Sequence, residues 1–162
     1  MRTLYLVRHA KSSWADMGLD DFHRPLNDRG LRDAPAMAER FKMRHEPVDL
    51  IVSSPATRAI TTARYFAEAL GIQGITEDEH IYEAHHRSIK NIVEHLPDTA
   101  GHVMLFGHNP GFSMLAEHLA HGRLGDLPTC AIVRIDFTAN SWKEIDGGTG
   151  TLVWWDYPKN DH

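Results

Sequence analysis

The chain has 162 residues, enough for one compact domain with a hydrophobic core, and we expect residues 1–162 to form that domain. Its composition, 42% hydrophobic and 24% charged, is ordinary for a soluble globular protein. The formal net charge of −5 argues against general binding to nucleic acid. No stretch is long enough to span a membrane, and nothing near the start resembles a signal peptide.

The cysteine and histidine content argues against disulfide bonds and against a metal site. Cys130 is the only cysteine, so no internal disulfide can form, and we expect a cytoplasmic location. The 12 histidines are unusual for a chain of this length. Five of them lie outside the predicted pocket and show no HExxH or Cys/His spacing typical of zinc: His45, His85, His86, His118 and His121. We therefore expect no metal site.

The first half of the chain alternates strand and helix patterns. Residues 3–7 predict a buried strand that runs directly into Arg8 and His9, and a polar loop follows to about residue 28. Within the next helical pattern lies Pro35, so that the helix either begins near Asp33 or bends at the proline. Its predicted apolar face consists of Leu31, Ala34, Met37, Ala38 and Phe41.

Residues 48–54 predict the second strand. Ser54 and Pro55 then form a typical helix start, as an N-cap residue followed by proline in the first helical position. Gly71 ends this helix, and residues near Ile75 predict another short strand.

The second half continues with a helix over 88–96, which stops before Pro97, and a clear strand over 102–108. A further helix opens at Asn109-Pro110. Residues 131–137 and 151–157 predict two late strands, joined across a turn-prone segment as antiparallel neighbours. The predicted fold class is therefore α/β, a three-layer sandwich with a mostly parallel sheet, helices on both faces and late antiparallel strands.

Polar side chains follow three of the predicted strands. The first strand leads into Arg8 and His9, the second into Arg58, and the third into His108. Ligands of open α/β sheets bind at the carboxyl ends of the strands. Guanidinium groups bind phosphate oxygens, and a neutral imidazole offers a nucleophilic nitrogen. If these strands are adjacent, the four side chains form a pocket for a phosphoryl group.

Four segments carry a family resemblance: LYLVRHAKSSW at 4–14, FHRPLNDRG at 22–30, SSPATRAITTA at 53–63 and GHNPG at 107–111. In this combination and order they resemble the histidine phosphatase superfamily, whose fold is phosphoglycerate mutase-like. That superfamily usually has Arg-His-Gly, and the Arg8-His9-Ala10 of this chain is similar to the small phosphohistidine phosphatases of the SixA type.

The resemblance implies a metal-independent phosphatase without a cofactor. His9 would attack phosphorus and become phosphorylated, while Arg8, Arg58 and His108 bind the phosphoryl oxygens. Glu83 matches the position of the proton donor in this branch, although it can equally be a surface glutamate. Arg24 can contact substrate or simply pair with Asp20, Asp21 or Asp28. Two further candidates for substrate binding are Lys11 and Ser12.

The resemblance also implies a range of partners. The leading hypothesis is hydrolysis of phosphohistidine on a protein, or of phosphomonoesters, with inorganic phosphate as product. The alternative hypothesis is a phosphatase of small metabolites or sugar phosphates. A third hypothesis, without enzymatic activity, is an adaptor that binds phosphate. Neither nucleic acid nor a membrane is an expected partner.

Overall fold

The computed structural model describes residues 1–160 as one six-stranded sheet with helices packed on it. The strands are β1 (Arg2–Arg8), β2 (Leu50–Ser53), β3 (Thr76–Glu77), β4 (His102–Gly107), β5 (Ile132–Phe137) and β6 (Gly150–Asp156). The α-helices are α1 (Asp28–Lys42), α2 (Thr57–Leu70), α3 (His86–Glu94) and α4 (Gly111–Ala120). Three short 3₁₀ turns, Asp21–His23, Glu79–Ile81 and Trp142–Glu144, lie in the connections.

The strand order in the sheet is β3-β2-β4-β1-β5-β6. The first four strands in that order are mutually parallel, while β5 and β6 are antiparallel to their neighbours. The predicted mostly parallel sheet with late antiparallel strands is therefore confirmed. Since β4 lies between β2 and β1, the three strands that carry polar residues at their carboxyl ends are adjacent.

Two apolar layers cover the two faces of the sheet, as expected for alternating side chains on buried strands. Residues of α1 and α2 pack against one face, and residues of α3 and α4 against the other. Along β1 the alternation is direct, because Tyr5 and Val7 join the first layer while Leu4 and Leu6 join the second. The three-layer arrangement is thus confirmed.

Helix α1 begins at Asp28, earlier than the start near Asp33 that the sequence left open as one of two alternatives. The side chain of Asn27 accepts a hydrogen bond from the Gly30 N–H at 2.9 Å and caps the helix at Asp28, so a start near Asp33 is wrong and Pro35 lies inside the helix. Leu31, which the pattern assigned to the apolar face, is 46% exposed. A side chain at Gly30 would collide with the backbone of Lys11, so glycine permits α1 to approach the loop after β1.

Helix α2 begins later than predicted. Ala56 is its N-cap residue and Thr57 its first residue, so the assignment of Ser54 and Pro55 as helix start is wrong. The physical reason is that the Ser54 hydroxyl contacts the ring of His108 at 2.8 Å, and the chain does not turn into the helix until Ala56. The predicted end at Gly71 is confirmed, with the residue in the left-handed region at φ +68°.

The remaining differences are shifts of one or two residues at element ends. Helix α3 covers His86–Glu94 instead of 88–96, because the His85 side chain accepts from the Arg87 N–H and caps it earlier. The short strand near residue 75 is confirmed as β3. Among residues 1–160, none of the helices combines the length and apolar character that crossing a bilayer requires.

Candidate active site

A cleft of about 270 Å³ lies at the carboxyl ends of β1, β4 and β2. The strand register sets its floor, since the His9 N–H donates to the Gly107 carbonyl and the Ser54 N–H to the Phe106 carbonyl, both at 3.0 Å. All eight residues predicted from the sequence line this cleft: Arg8, His9, Lys11, Ser12, Arg24, Arg58, Glu83 and His108. Four residues that were not among the predictions also line it: Trp14, Asp21, Asn109 and Thr129.

His9 presents one ring nitrogen to the cleft. Its Nδ1 lies 2.7 Å from the carbonyl oxygen of Ala10. A carbonyl oxygen only accepts, so Nδ1 carries the proton and Nε2 carries the lone pair of the neutral ring. Burial, with smaller contributions from the positive charges of Arg58 and Arg8, lowers the pKa of His9 to about 3. The ring is therefore neutral near pH 7, and its Nε2 carries an unprotonated lone pair.

His108 lies beside His9, with 5.2 Å between the ring centroids. Its Nε2 is 2.8 Å from the Ser54 hydroxyl, which also accepts from the Ala56 N–H at 3.2 Å. If the Ser54 hydroxyl donates to Nε2, the neutral ring carries its proton on Nδ1 and can donate from there. Burial lowers the pKa of His108 to about 3, and the positive charge of Arg58 adds to the effect. The His108 ring is therefore neutral near pH 7.

Arg8 and Arg58 line the cleft, and each guanidinium is held by hydrogen bonds to other residues of the chain. Nη1 of Arg8 donates to the Leu127 carbonyl at 2.7 Å. Nη1 of Arg58 donates to the Asp21 carbonyl at 2.7 Å, and its Nη2 donates to the Asp21 carboxylate at 2.9 Å. These contacts fix both groups while the Nε of each guanidinium remains buried and unpaired.

Unpaired buried donors concentrate in this cleft. Within residues 1–160, five buried side-chain nitrogens lack a hydrogen-bond partner, and three of them are Arg8 Nε, Arg58 Nε and His108 Nδ1. A buried N–H without a partner costs free energy, so such groups normally mark a place where a ligand accepts. The cleft is therefore built for an anion with several acceptor oxygens, and a phosphoryl group fits that description.

Asp21 is the functional residue that sequence reasoning missed, beyond its mention as a partner of Arg24. Its carboxylate accepts from the Tyr82 hydroxyl at 2.6 Å, from Arg58 Nη2 at 2.9 Å and from Arg24 Nε at 3.1 Å. Burial alone would raise the pKa of Asp21, but the hydrogen bonds from Tyr82 and Arg58 prevail and lower it to about 2. In the sequence, only the neighbouring aspartates before Arg24 indicated that an acidic side chain could bind an arginine of the cleft.

Arg24 is held on three sides, and the pairing with Asp21 that the sequence left open is present. Its Nη1 donates to the Ser12 hydroxyl at 2.8 Å, so Ser12 supports the arginine. The Arg24 guanidinium carbon also lies 3.5 Å from the centre of the Trp14 ring. Lys11, by contrast, is exposed at the mouth of the cleft.

Glu83 also lines the cleft, exposed to solvent and next to Tyr82 in the chain. Its φ of +53° places it in the left-handed region, which costs a non-glycine residue about 1–3 kcal/mol. Such strain is typical of functional sites, but it is equally compatible with a tight turn between Tyr82 and Ala84. The geometry therefore allows a role in proton transfer without requiring one.

The other histidines of the described part of the chain do not build a metal centre. The rings of His85 and His86 have centroids 4.2 Å apart, and those of His86 and His118 are 5.9 Å apart. Even so, residues 1–160 contain no group of three or more histidine, cysteine or acidic side chains arranged to hold a metal ion.

Comparisons with known proteins agree with this geometry. The model of the histidine phosphatase superfamily, branch 1, matches residues 4–92. An uncharacterised chloroplast protein of Arabidopsis thaliana is 31% identical over 94% of this chain and 74% of its own length. Phosphoserine phosphatase 1 of Hydrogenobacter thermophilus is 39% identical, but over 48% of this chain and 37% of its own.

Solved structures give the same assignment. The SixA protein of Agrobacterium tumefaciens superposes with a TM-score of 0.84 at 27% identity, covering 97% of this chain and 98% of its own. A protein histidine phosphatase SixA complexed with tungstate superposes with a TM-score of 0.82 at 19% identity, covering 96% and 97%. The phosphoglycerate mutase-like fold is thereby confirmed, and the chain belongs to the histidine phosphatase superfamily, branch 1, as a member of the SixA type.

Proposed function

We propose that this phosphatase acts on phosphohistidine in proteins through a covalent intermediate on Nε2 of His9. The observation that carries the proposal is a set of buried side-chain nitrogens without a hydrogen-bond partner, all on residues that line the cleft together with His9: Arg8 Nε, Arg58 Nε and His108 Nδ1. A phosphoryl group bound by these three residues lies beside an imidazole that burial keeps unprotonated.

In the first step, the His9 Nε2 lone pair attacks phosphorus in line with the leaving group. The new N–P bond forms as the bond between phosphorus and the leaving atom breaks, and the leaving group takes that electron pair. A substrate histidine whose second ring nitrogen already carries a proton then leaves as a neutral imidazole. The two guanidiniums and His108 donate to the three equatorial oxygens, where charge is spread in the transition state. Removing one such donor typically slows catalysis by about 10²–10³.

In the second step, a water molecule attacks the phosphohistidine. The N–P bond breaks, its electron pair returns to Nε2, and inorganic phosphate forms as the water loses a proton. We propose that the Glu83 carboxylate receives this proton, and that protonated Glu83 donates to the leaving group when an ester is the substrate. Splitting one displacement into two easier steps is the general advantage of covalent catalysis.

The proposal requires no metal ion. Divalent ions in phosphoryl transfer neutralise the oxygens, and here the fixed charges of Arg8, Arg58 and Arg24 supply that neutralisation from within one cleft. Each of the three guanidiniums is held by hydrogen bonds to the Leu127 carbonyl, to Asp21 or to Ser12, so little reorganisation is needed when substrate arrives.

We assign Arg24, Lys11 and Ser12 to substrate binding in the cleft. Arg24 adds a third guanidinium, Ser12 orients it, and exposed Lys11 approaches the parts of the substrate outside the floor. A small-metabolite phosphatase is the alternative, supported by the likeness of half the chain to a phosphoserine phosphatase. A cytoplasmic location stays a prediction from the sequence.

Rapid-quench trapping with a ³²P-labelled phosphohistidine protein tests the proposal. We expect acid-labile label on the wild-type chain, mapped to His9, and none on His9→Ala, whose fold is checked by circular dichroism. His23→Ala removes an exposed histidine and should retain the label. Label on another residue, or full turnover by His9→Ala, would contradict the assignment. Tight phosphate binding without any turnover would favour the adaptor, and faster turnover of small phosphomonoesters would favour the metabolite phosphatase.

A further inference from the structure

The loop after β1 exposes an apolar surface beside the cleft. We call residues 14–20 the rim loop, and every one of them is exposed. Trp14 is 71% exposed, Met17 95% and Leu19 39%. A single exposed apolar side chain is ordinary, but three within six residues form a patch, and such patches mark interaction sites.

The rim loop is continuous with the active-site cleft. Trp14 itself lines the cleft and stacks on Arg24 at 3.5 Å. Just before the loop, the Ser13 N–H donates to the Pro25 carbonyl at 2.8 Å, and Ser12 forms a β-bridge with Leu26. The start of the loop is thus tied to the segment that carries Arg24. A substrate with its phosphoryl group on the cleft floor therefore lies beside Trp14, the first residue of the rim loop.

Charge separates the floor from the rim. The floor is cationic, through the guanidiniums of Arg8, Arg24 and Arg58. The rim loop instead carries Asp16 and Asp20, both exposed. A substrate that suits both layers has a negative phosphoryl group surrounded by apolar and positively charged groups. A small anionic metabolite gains nothing from the rim loop, whose own charges are negative; its further negative groups would instead meet Lys11 at the mouth of the cleft.

We infer that the rim loop docks the surface of a phosphoprotein around its phosphohistidine, and that this surface is apolar and basic. The inference rests on the proposed function and names the sequence context of its substrate. Met17 and Leu19 do not line the cleft, so a metabolite that fills about 270 Å³ gains little from them. A protein surface that buries both side chains gains hydrophobic free energy.

Two synthetic phosphohistidine peptides test the inference, one flanked by leucine and lysine, the other by serine and glutamate. Free phosphohistidine serves as the small substrate. For the wild-type chain we expect kcat/KM to favour the leucine–lysine peptide by about tenfold. The Met17→Ser/Leu19→Ser variant should lose most of that preference and keep its turnover of free phosphohistidine. Asp16→Asn keeps an acceptor for the Gly18 N–H but removes charge, and should weaken the preference for lysine.

The matched control is Leu31→Ser/Met43→Ser, which removes two exposed apolar side chains of α1 and its C-terminal end. It should retain the full preference. Equal turnover of the two peptides by the wild-type chain, or an unchanged preference in the rim-loop variant, would overturn the inference. Failure to hydrolyse free phosphohistidine, with no labelled His9, would instead contradict the proposed function and is therefore a distinguishable result.

Discussion

Asp21 accepts two hydrogen bonds from the guanidinium of Arg58. Its backbone carbonyl oxygen lies 2.7 Å from Nη1, and its carboxylate lies 2.9 Å from Nη2. Both contacts lie on one edge of the guanidinium and leave Nε unpaired. Because Tyr82 also donates to this carboxylate, Asp21 joins the loop before α1 to the segment that carries Glu83. We therefore regard Asp21 as the residue that positions Arg58.

Asp21→Asn should lower kcat/KM by about tenfold, which corresponds to about 1.4 kcal/mol. Asparagine keeps one acceptor oxygen but loses the charge, so Arg58 is held less firmly. The free energy of unfolding should change by less than about 1 kcal/mol, since the Asp21 side chain is 36% exposed and water screens its ion pairs. Steady-state kinetics and urea titration of the same preparation separate the two effects.

Asp20→Asn is the control for Asp21→Asn. Asp20 is the adjacent aspartate, but it is exposed and pairs with exposed His23. With free phosphohistidine as the substrate for both variants, the substitution of Asp20 should leave kcat/KM within about twofold of the wild-type value, since exposed pairs contribute little. An equal loss of activity in the two variants would indicate a general charge effect of the loop and contradict the positioning role of Asp21.

Local sequence patterns were sufficient for the sheet and for the residues at its carboxyl edge. Strands that are buried on both sides read as short apolar runs, and polar residues that follow such runs necessarily meet at one edge when the strands are parallel. For this reason Arg8, His9 and His108 were predicted together, and the structure places them in one cleft. The end of the second strand also indicated Arg58, and the motif resemblance added Glu83.

Contacts between distant segments account for what the sequence did not reveal. Asp21 meets Tyr82, 61 residues later, and Arg58, 37 residues later, and no local period encodes those contacts. The start of α2 was predicted wrongly for the same reason. Ser54 has the side chain of an N-cap residue, but His108, 54 residues further along, engages its hydroxyl. Tertiary contacts here override local propensity.

Glu83→Gln should discriminate between leaving groups. An alkoxide needs a proton to leave, whereas a histidine nitrogen leaves more easily, so the loss of the acid should slow phosphomonoesters by about 10²-fold and phosphohistidine much less. Stopped-flow assays with a phosphoserine peptide and a phosphohistidine peptide measure both. Glu79→Gln, at an exposed glutamate that does not line the cleft, is the control and should match the wild-type rates. Equal slowing of both substrates would remove the proton-donor role.

Chelation should leave the activity unchanged. If the guanidiniums supply the positive charge, kcat and KM for phosphohistidine are expected to be the same within about twofold before and after dialysis against excess EDTA. Adding back Mg²⁺, Zn²⁺ or Mn²⁺ should give no increase. Complete loss of activity that one of these ions restores would contradict the metal-free mechanism. The loss of phosphate release by a metal-dependent phosphatase in the same assay verifies the chelation.

The two buried histidines should make the folded chain sensitive to mild acid. His9 and His108 each have a pKa of about 3 in the folded state, against about 6.5 when unfolded. As the pH falls below 6.5, the unfolded chain takes up a proton on each ring while the folded chain resists it, so the free energy of unfolding decreases. From pH 7 to pH 5 the decrease is about 2 kcal/mol for each histidine.

Urea titrations at pH 7 and pH 5, in a buffer free of phosphate, measure this decrease. In His108→Asn one of the two rings is absent, so the decrease should be smaller than in the wild-type chain by about 2 kcal/mol. His95→Asn removes a histidine at the surface and should retain the full decrease. Carboxylates such as Asp21, whose pKa of about 2 is lower than usual, affect stability only in stronger acid. Identical decreases in the wild-type chain and His108→Asn would show that the ring takes up its proton equally in the folded and unfolded chain, which would contradict the lowered pKa of His108.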